Sequence, residues 1–152
     1  MARSLGVNAK TVRQILGEKG IAVRTIGPDA SVLDALQLMA AHDVGALPVV
    51  ENGELVGLVS ERDYARKVIM KGRFSMDKPI REIMSTQVVT VTSTQNVRDC
   101  MRLMTDKRIR HLPVVENGQL TGIISIGDVV KGVIEEQRET IEELEGYITG
   151  HR

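Results

Sequence analysis

The tract LPVVENGELVGLVSERD, Leu47 to Asp63, returns 65 positions later as LPVVENGQLTGIISIGD, Leu112 to Asp128. Each copy holds one Asn-Gly pair between apolar runs and ends on Gly-x-x-Ser-x-x-Asp. A whole tract repeated at a fixed offset marks one supersecondary unit built twice, which decides the architecture before any local assignment. Working outward, Arg24–Ile69 aligns with Val89–Ile134 with about 18 identities over about 46 positions.

Local patterns fill in the unit. Leu47 to Val50 is rich in β-branched residues and predicts a strand. Asn52-Gly53 then predicts a type I′ hairpin turn, because both central residues must take positive φ. Leu55 to Val59 is the return strand, and Asn117-Gly118 repeats the arrangement. Further upstream, Val23–Ile26 and Val88–Val91 predict short strands carrying Thr25 and Thr90. Ser31 and Asp34 have capping-box spacing and open a helix whose Val32, Ala35, Leu36 and Met39 form an apolar stripe. Asn96 with Asp99, and Val97, Cys100, Met101 and Met104, do the same in the second copy. After Asp63 and Asp128 the pattern is helical to about Met70 and Ile134. Thr11–Leu16 and Pro79–Met84 are short lead-in helices. The fold class is therefore α+β, two β-α-β-β-α units packed about a pseudo-twofold axis. The expected limits are a flexible segment over 1–10, unit one over 11–76, unit two over 77–134 and an acidic helix over 135–152. Gly72–Lys78 is the linker. The final helix carries Ile141, Leu144 and Ile148 on one face, expected to dock on the core or, by preference, on a neighbouring subunit.

Composition narrows the function. Hydrophobic residues reach 42% but aromatics only 2%, so the core is aliphatic and base-stacking platforms are lacking. Twenty basic residues balance twenty acidic ones, without the basic footprint of a nucleic-acid binder. A single cysteine, Cys100, allows no internal disulfide and predicts a reducing, cytoplasmic setting. No apolar run reaches the roughly 18 residues a membrane span requires, and Met1–Ala9 does not resemble a secretion signal. His42, His111 and His151 lack metal-ligand spacing, and no nucleophile motif, Walker loop or GxGxxG occurs. The expectation is a non-enzyme without metal or catalytic cofactor.

The duplicated strand with Pro-Val and the duplicated Gly-x-x-Ser-x-x-Asp ending resemble a cystathionine β-synthase (CBS) domain pair, or Bateman module, over about residues 11–134. The resemblance implies a regulatory sensor with adenosyl-ligand clefts between paired units, often a disc-shaped homodimer. It implies AMP, ADP, ATP, S-adenosylmethionine or NAD(H) as ligands. The chain as read has no room for a fused enzyme or transporter, so output is expected through an effector protein or oligomerisation.

The motif has its own chemistry. Its glycine permits close approach of a ligand to the backbone. Ser60 and Ser125, leading into a helix, offer a hydroxyl and free amide donors to a phosphate. Asp63 and Asp128 are acceptor-only carboxylates suited to ribose hydroxyls. The resemblance assigns these positions to phosphate and ribose; equally, Ser and Asp at this spacing cap a helix. The copies then diverge. The second cleft set is Thr90, Arg110, His111, Leu112, Pro113, Ser125 and Asp128, where a guanidinium and an imidazole flank the strand. The first set is Thr25, Gly45, Ala46, Leu47, Pro48, Ser60, Arg62 and Asp63, with a small wall and charge only from the following helix. The second cleft is expected to prefer a nucleotide monophosphate such as AMP. The first is expected to take something different, a second adenine nucleotide or part of NAD(H). The alternative is a structural or oligomerisation module whose clefts are vestigial.

Overall fold

The computed structural model describes residues 9–20, 22–70, 72 and 76–150, with side chains as far as 146. The start of the N-terminal segment, residues 73–75 of the Gly72–Lys78 linker and the Ile148 side chain lie outside the described residues. In chain order the elements are α1 (Val12–Lys19), α2 (Val32–His42), β1 (Ala46–Glu51), β2 (Glu54–Ser60) and α3 (Glu61–Tyr64, continuing as a π turn over Ala65–Ile69). A 3-10 turn at Ile80–Glu82 follows, then α4 (Val97–Lys107), β3 (His111–Glu116), β4 (Gln119–Ser125) and α5 (Ile126–Gly150).

The Asn-Gly turns form as their chemistry requires. Asn52 and Gly53 take φ of 52° and 80°, and Asn117 and Gly118 take 51° and 78°. They close two antiparallel hairpins, β1-β2 and β3-β4. In β1-β2, Leu47 faces Val59 and Pro48 faces Leu58, and the register shifts between Val49 and Val50. The helix starts are equally local. Thr11, Ser31 and Ser60 each complete a reciprocal capping box with the residue three positions on, and Asn96 accepts the Asp99 amide.

The predicted strands at Val23–Ile26 and Val88–Val91 are corrected to single bridges, Ile26 to Val49 and Val91 to Val114, both parallel. The cause lies in the repeated tract. Ile26 donates to the Pro48 carbonyl and accepts from Val50, so the next rung would need an N–H from Pro48, which has none. Val91 donates to the Pro113 carbonyl and meets the same stop. A second correction concerns the C-terminus. The helix after Asp128 does not end near Ile134; α5 runs unbroken through the acidic stretch to Gly150, because neither Pro nor a tertiary stop interrupts it.

The chain divides into two compact units. One gathers α1, Val91–Val114 and the chain from Ile123 onward; the other gathers Ala22–Thr90 and Val115–Gly122. The lead-in α1 thus packs with the helices of the second repeat: Val12 N–H bonds the Gln95 carbonyl at 2.8 Å, and Thr11 bridges to Asn96. This unit buries Val12, Ile15, Val97, Cys100, Met104, Leu112, Ile124 and Val129. It also buries the Glu136 carboxylate, which accepts from the Lys10 amide and from Arg98 Nε. The other unit is built on Val32, Ala35, Met39, Leu47, Val49, Val59, Val68, Ile80 and Ile83. Burial pushes the Cys100 thiol up to about 11, with Asp99 adding to the rise, so it behaves as a small core residue. Among the described residues, no helix is long and apolar enough to cross a membrane.

Candidate functional site

Each Gly-x-x-Ser-x-x-Asp stretch folds into a strand-to-helix corner. Ser60 ends β2 and caps α3: the Asp63 amide donates to Ser60 Oγ at 3.1 Å and the Ser60 amide to Asp63 Oδ2 at 2.9 Å. Ser125 ends β4 and does the same for α5, at 3.2 Å and 2.8 Å. The helix-capping role is therefore realised in both copies. A second bond closes each corner. The Glu61 amide donates to the Gly45 carbonyl, and the Ile126 amide to the Arg110 carbonyl. Gly45 and Arg110, the residues where the copies differ most, are thus tied to the two corners.

Around the second corner, Leu112 and Pro113 are buried in β3, His111 is half-buried and Arg110 is exposed. Arg110 forms no ion pair among the described residues. Thr90 is exposed one residue before the Val91 bridge. Around the first corner, Ala46, Leu47 and Pro48 are buried in β1, Thr25 is exposed beside the Ile26 bridge, and Arg62 is exposed on the first turn of α3. Leu47 and Leu112 are wholly enclosed, so what they offer a ligand is backbone.

Three further residues complete the corners: Lys67, one of the basic residues of the helix after the first corner, and Lys19 and Ser85, which were not singled out from the sequence. Lys19, at the end of α1, places Nζ 2.8 Å from Asp128 Oδ2 and 3.1 Å from the Ile123 carbonyl. Lys67 spans Asp63 Oδ1 at 3.3 Å and the Ile83 carbonyl at 2.8 Å. Ser85 donates its hydroxyl to Asp63 Oδ1 at 3.3 Å. The Asp63/Lys67 pair has i,i+4 spacing and was open to a spacing argument; Lys19 and Ser85 reach their aspartates from far away in sequence. The motif glycine of the first copy also has a different role from the one expected. A Cβ on Gly57 would lie 2.6 Å from Met84 Sδ and 3.0 Å from the Ser85 carbonyl, so it admits the protein's own chain.

The electrostatics of the second corner follow from these contacts. Burial works to raise the Asp128 carboxyl, but the Lys19 ammonium and the Ser125 amide and hydroxyl outweigh it and hold it below the usual carboxylate range. Burial lowers His111, Lys19 and Arg110 lower it further, and Asp128 opposes them, leaving the imidazole neutral near pH 7. The corner presents an ionised carboxylate, a neutral imidazole and an exposed guanidinium.

Fold and corners together define a class: a tandem repeat of hairpin-and-helix units, each bearing a Ser/Asp-capped strand-to-helix turn. The sequence profile of the CBS domain matches residues 13–69 and again 80–135, and the chain belongs to this family. A mitochondrial CBS domain-containing protein of Arabidopsis thaliana is 46% identical over 127 residues, which are 80% of this chain and 62% of that one. The chain therefore spans less than two thirds of that relative. A CBS-domain protein of Burkholderia ambifaria with a solved structure is 46% identical, with 84% of this chain and 96% of that one covered at a TM-score of 0.79. A more distant CBS domain pair, solved in complex with 5′-methylthioadenosine and S-adenosyl-L-methionine, is 24% identical and shares the fold, with 82% and 92% covered at a TM-score of 0.69. CBS-domain pairs are, as a class, regulatory ligand-binding modules.

Proposed function

We propose that the chain is a regulatory module that senses an adenine nucleotide (AMP, ADP, ATP or NAD(H)) at its Ser/Asp corners and passes the signal on by self-association or to an effector protein. The observation that carries this reading is the second corner. There Arg110, His111, Ser125 and Asp128 meet at the end of one hairpin, with a cation that has no carboxylate partner among the described residues. An exposed guanidinium at the start of a helix suits a phosphate, and an ionised carboxylate suits a ribose diol. AMP is the minimal ligand that uses both. The adenosyl compounds bound by the distant CBS pair support the same ligand class.

Calorimetry with AMP tests the assignment. Replacing Arg110 and His111 by alanine removes a charge-assisted contact of about 1.5–3 kcal/mol, so affinity should fall at least about tenfold. Unchanged affinity would sink it. Thermal melts separate the sensor from a scaffold with vestigial sites. A hundredfold excess of ligand over Kd adds about 2.7 kcal/mol, which should raise Tm by roughly 5–10 °C in a chain this size.

For the output, α5 is the self-association surface we propose. Ile126, Val130, Ile134, Ile141 and Leu144 are all at least 37% exposed on it, an unusual concentration for one helix. Val130, Ile134, Gln137, Ile141 and Leu144 follow the alternating four-three spacing of a coiled-coil seam. Its first half is mixed, with Lys131 and Arg138 among Asp128, Glu135 and Glu136, and its second half carries only acidic charges, Glu139, Glu142, Glu143 and Glu145. A second copy laid antiparallel sets the half of one helix that carries both of its cations against the wholly acidic half of the other.

A further inference from the structure

The two corner aspartates, alike in sequence, differ in what they have left to give. A carboxylate has about four acceptor positions, two on each oxygen. Asp63 has three of its own filled by hydrogen bonds and the fourth faced by an ion pair. Oδ2 accepts from the Ser60 amide at 2.9 Å and the Ser60 hydroxyl at 3.1 Å. Oδ1 accepts from Ser85 Oγ at 3.3 Å and forms an ion pair with Lys67 Nζ at 3.3 Å. Asp128 takes the Ser125 amide and Lys19 Nζ on Oδ2, both at 2.8 Å, with the Ser125 hydroxyl also beside the carboxylate, and among the described residues no hydrogen bond reaches Oδ1. Its side chain is 21% exposed against 14% for Asp63.

The difference is built into the chain. Leu58 exchanges two backbone bonds of 2.9 Å with Ser85, which delivers the serine hydroxyl to Asp63. The counterpart of Leu58 is Ile123, whose carbonyl takes Lys19 Nζ instead. The counterpart of Lys67 is Gly132, where a Cβ would stand 2.8 Å from Val97 Cγ1, so no lysine fits there. One corner is saturated from within, while the other is neutralised by a lysine on one oxygen and open on the second.

We infer that only the second corner takes a ribose diol, and that the chain binds one ribonucleotide, with Asp128 as the ribose acceptor and Asp63 as an internal structural cap. Lys19 Nζ lies on Oδ2 at 2.8 Å, which leaves Oδ1 for the ligand. This rests on the reading of the corners as nucleotide sites, and the experiment separates the two. AMP and 2′,3′-dideoxy-AMP are titrated into the full chain and into Asp63→Asn and Asp128→Asn, with native mass spectrometry counting bound nucleotides. One AMP per chain is expected for wild type and Asp63→Asn. Asp128→Asn should bind AMP at least about tenfold more weakly, and wild type should bind the dideoxy nucleotide as weakly. Two AMP per wild-type chain would overturn the inference, even if Asp63→Asn does not fold. So would loss of AMP in Asp63→Asn with Asp128→Asn unaffected. No AMP uptake by wild type at all would defeat the nucleotide reading and take this inference with it.

Discussion

His111 is half-buried at the head of β3, where burial foremost, then Lys19 and Arg110, hold its imidazole below the ordinary 6.5 while Asp128 pulls the other way. In the folded chain it stays neutral as pH falls past 6.5, whereas in the unfolded chain it gains a proton. Stability is therefore full above the unfolded pKa and declines as pH drops toward the folded one. Wild type should lose more Tm than His111→Gln between about pH 7.5 and about pH 5.5. Parallel curves for the two proteins would remove the imidazole from the account. A phosphate bound beside His111 would reverse part of the shift, making nucleotide binding tighter on mild acidification. At this scale the sequence was legible where copies could be compared: Ser60 and Ser125, Asp63 and Asp128, and the contrast of Gly45-Ala46 with Arg110-His111. Lys19 and Ser85 were not legible. Their partners lie 109 and 22 residues away, and nothing local says that a lysine at the end of α1 will reach Asp128.

At the scale of elements, turn chemistry and caps fixed what they control. Asn-Gly made both hairpins, and Ser31, Asn96 and Ser60 opened helices where side-chain spacing placed them, while the cap at Thr11 had not been read from the sequence. Propensity misled where the partner decides. Val23–Ile26 and Val88–Val91 are good strand sequences, but each meets a strand whose proline cannot donate, and pairing stops after one rung. Helix contact supplies a sharper test. Gly132 of α5 lies against Val97 of α4, with the added Cβ 2.8 Å from a wholly buried, stiff valine. Gly132→Ala should overpack this contact by roughly 1–3 kcal/mol, more than the ~1 kcal/mol that alanine gains in helix propensity. Gly146, in the same helix with open space around it, is the control. Gly146→Ala should stabilise where Gly132→Ala destabilises, as read from denaturation midpoints. The same sign for both would show that α4 yields to the methyl group.

For the molecule as a whole, the question is how one occupied corner becomes a signal. A ligand shifts an equilibrium only by its differential affinity for the two states. The second corner and α5 are continuous, since Ser125 caps the helix whose later turns carry the exposed Ile134 and Ile141. Asp128, the proposed ribose acceptor, sits in the first turn of that helix. A nucleotide that draws on Asp128 therefore acts on the start of the surface proposed for self-association, and by linkage dimerisation and nucleotide binding must alter each other by the same factor. Ile134 is 43% exposed and Ile141 54%, so a charge at either costs the folded chain little. In an antiparallel pair it would lie in the seam of both copies. Ile134→Glu and Ile141→Glu should sediment as monomers at concentrations where wild type is dimeric, with unchanged circular dichroism. Their AMP affinity should move away from the wild-type value. Dimers that survive both substitutions would place self-association elsewhere. Monomers with wild-type AMP affinity would keep the interface and remove the coupling, leaving an effector protein to register the bound nucleotide.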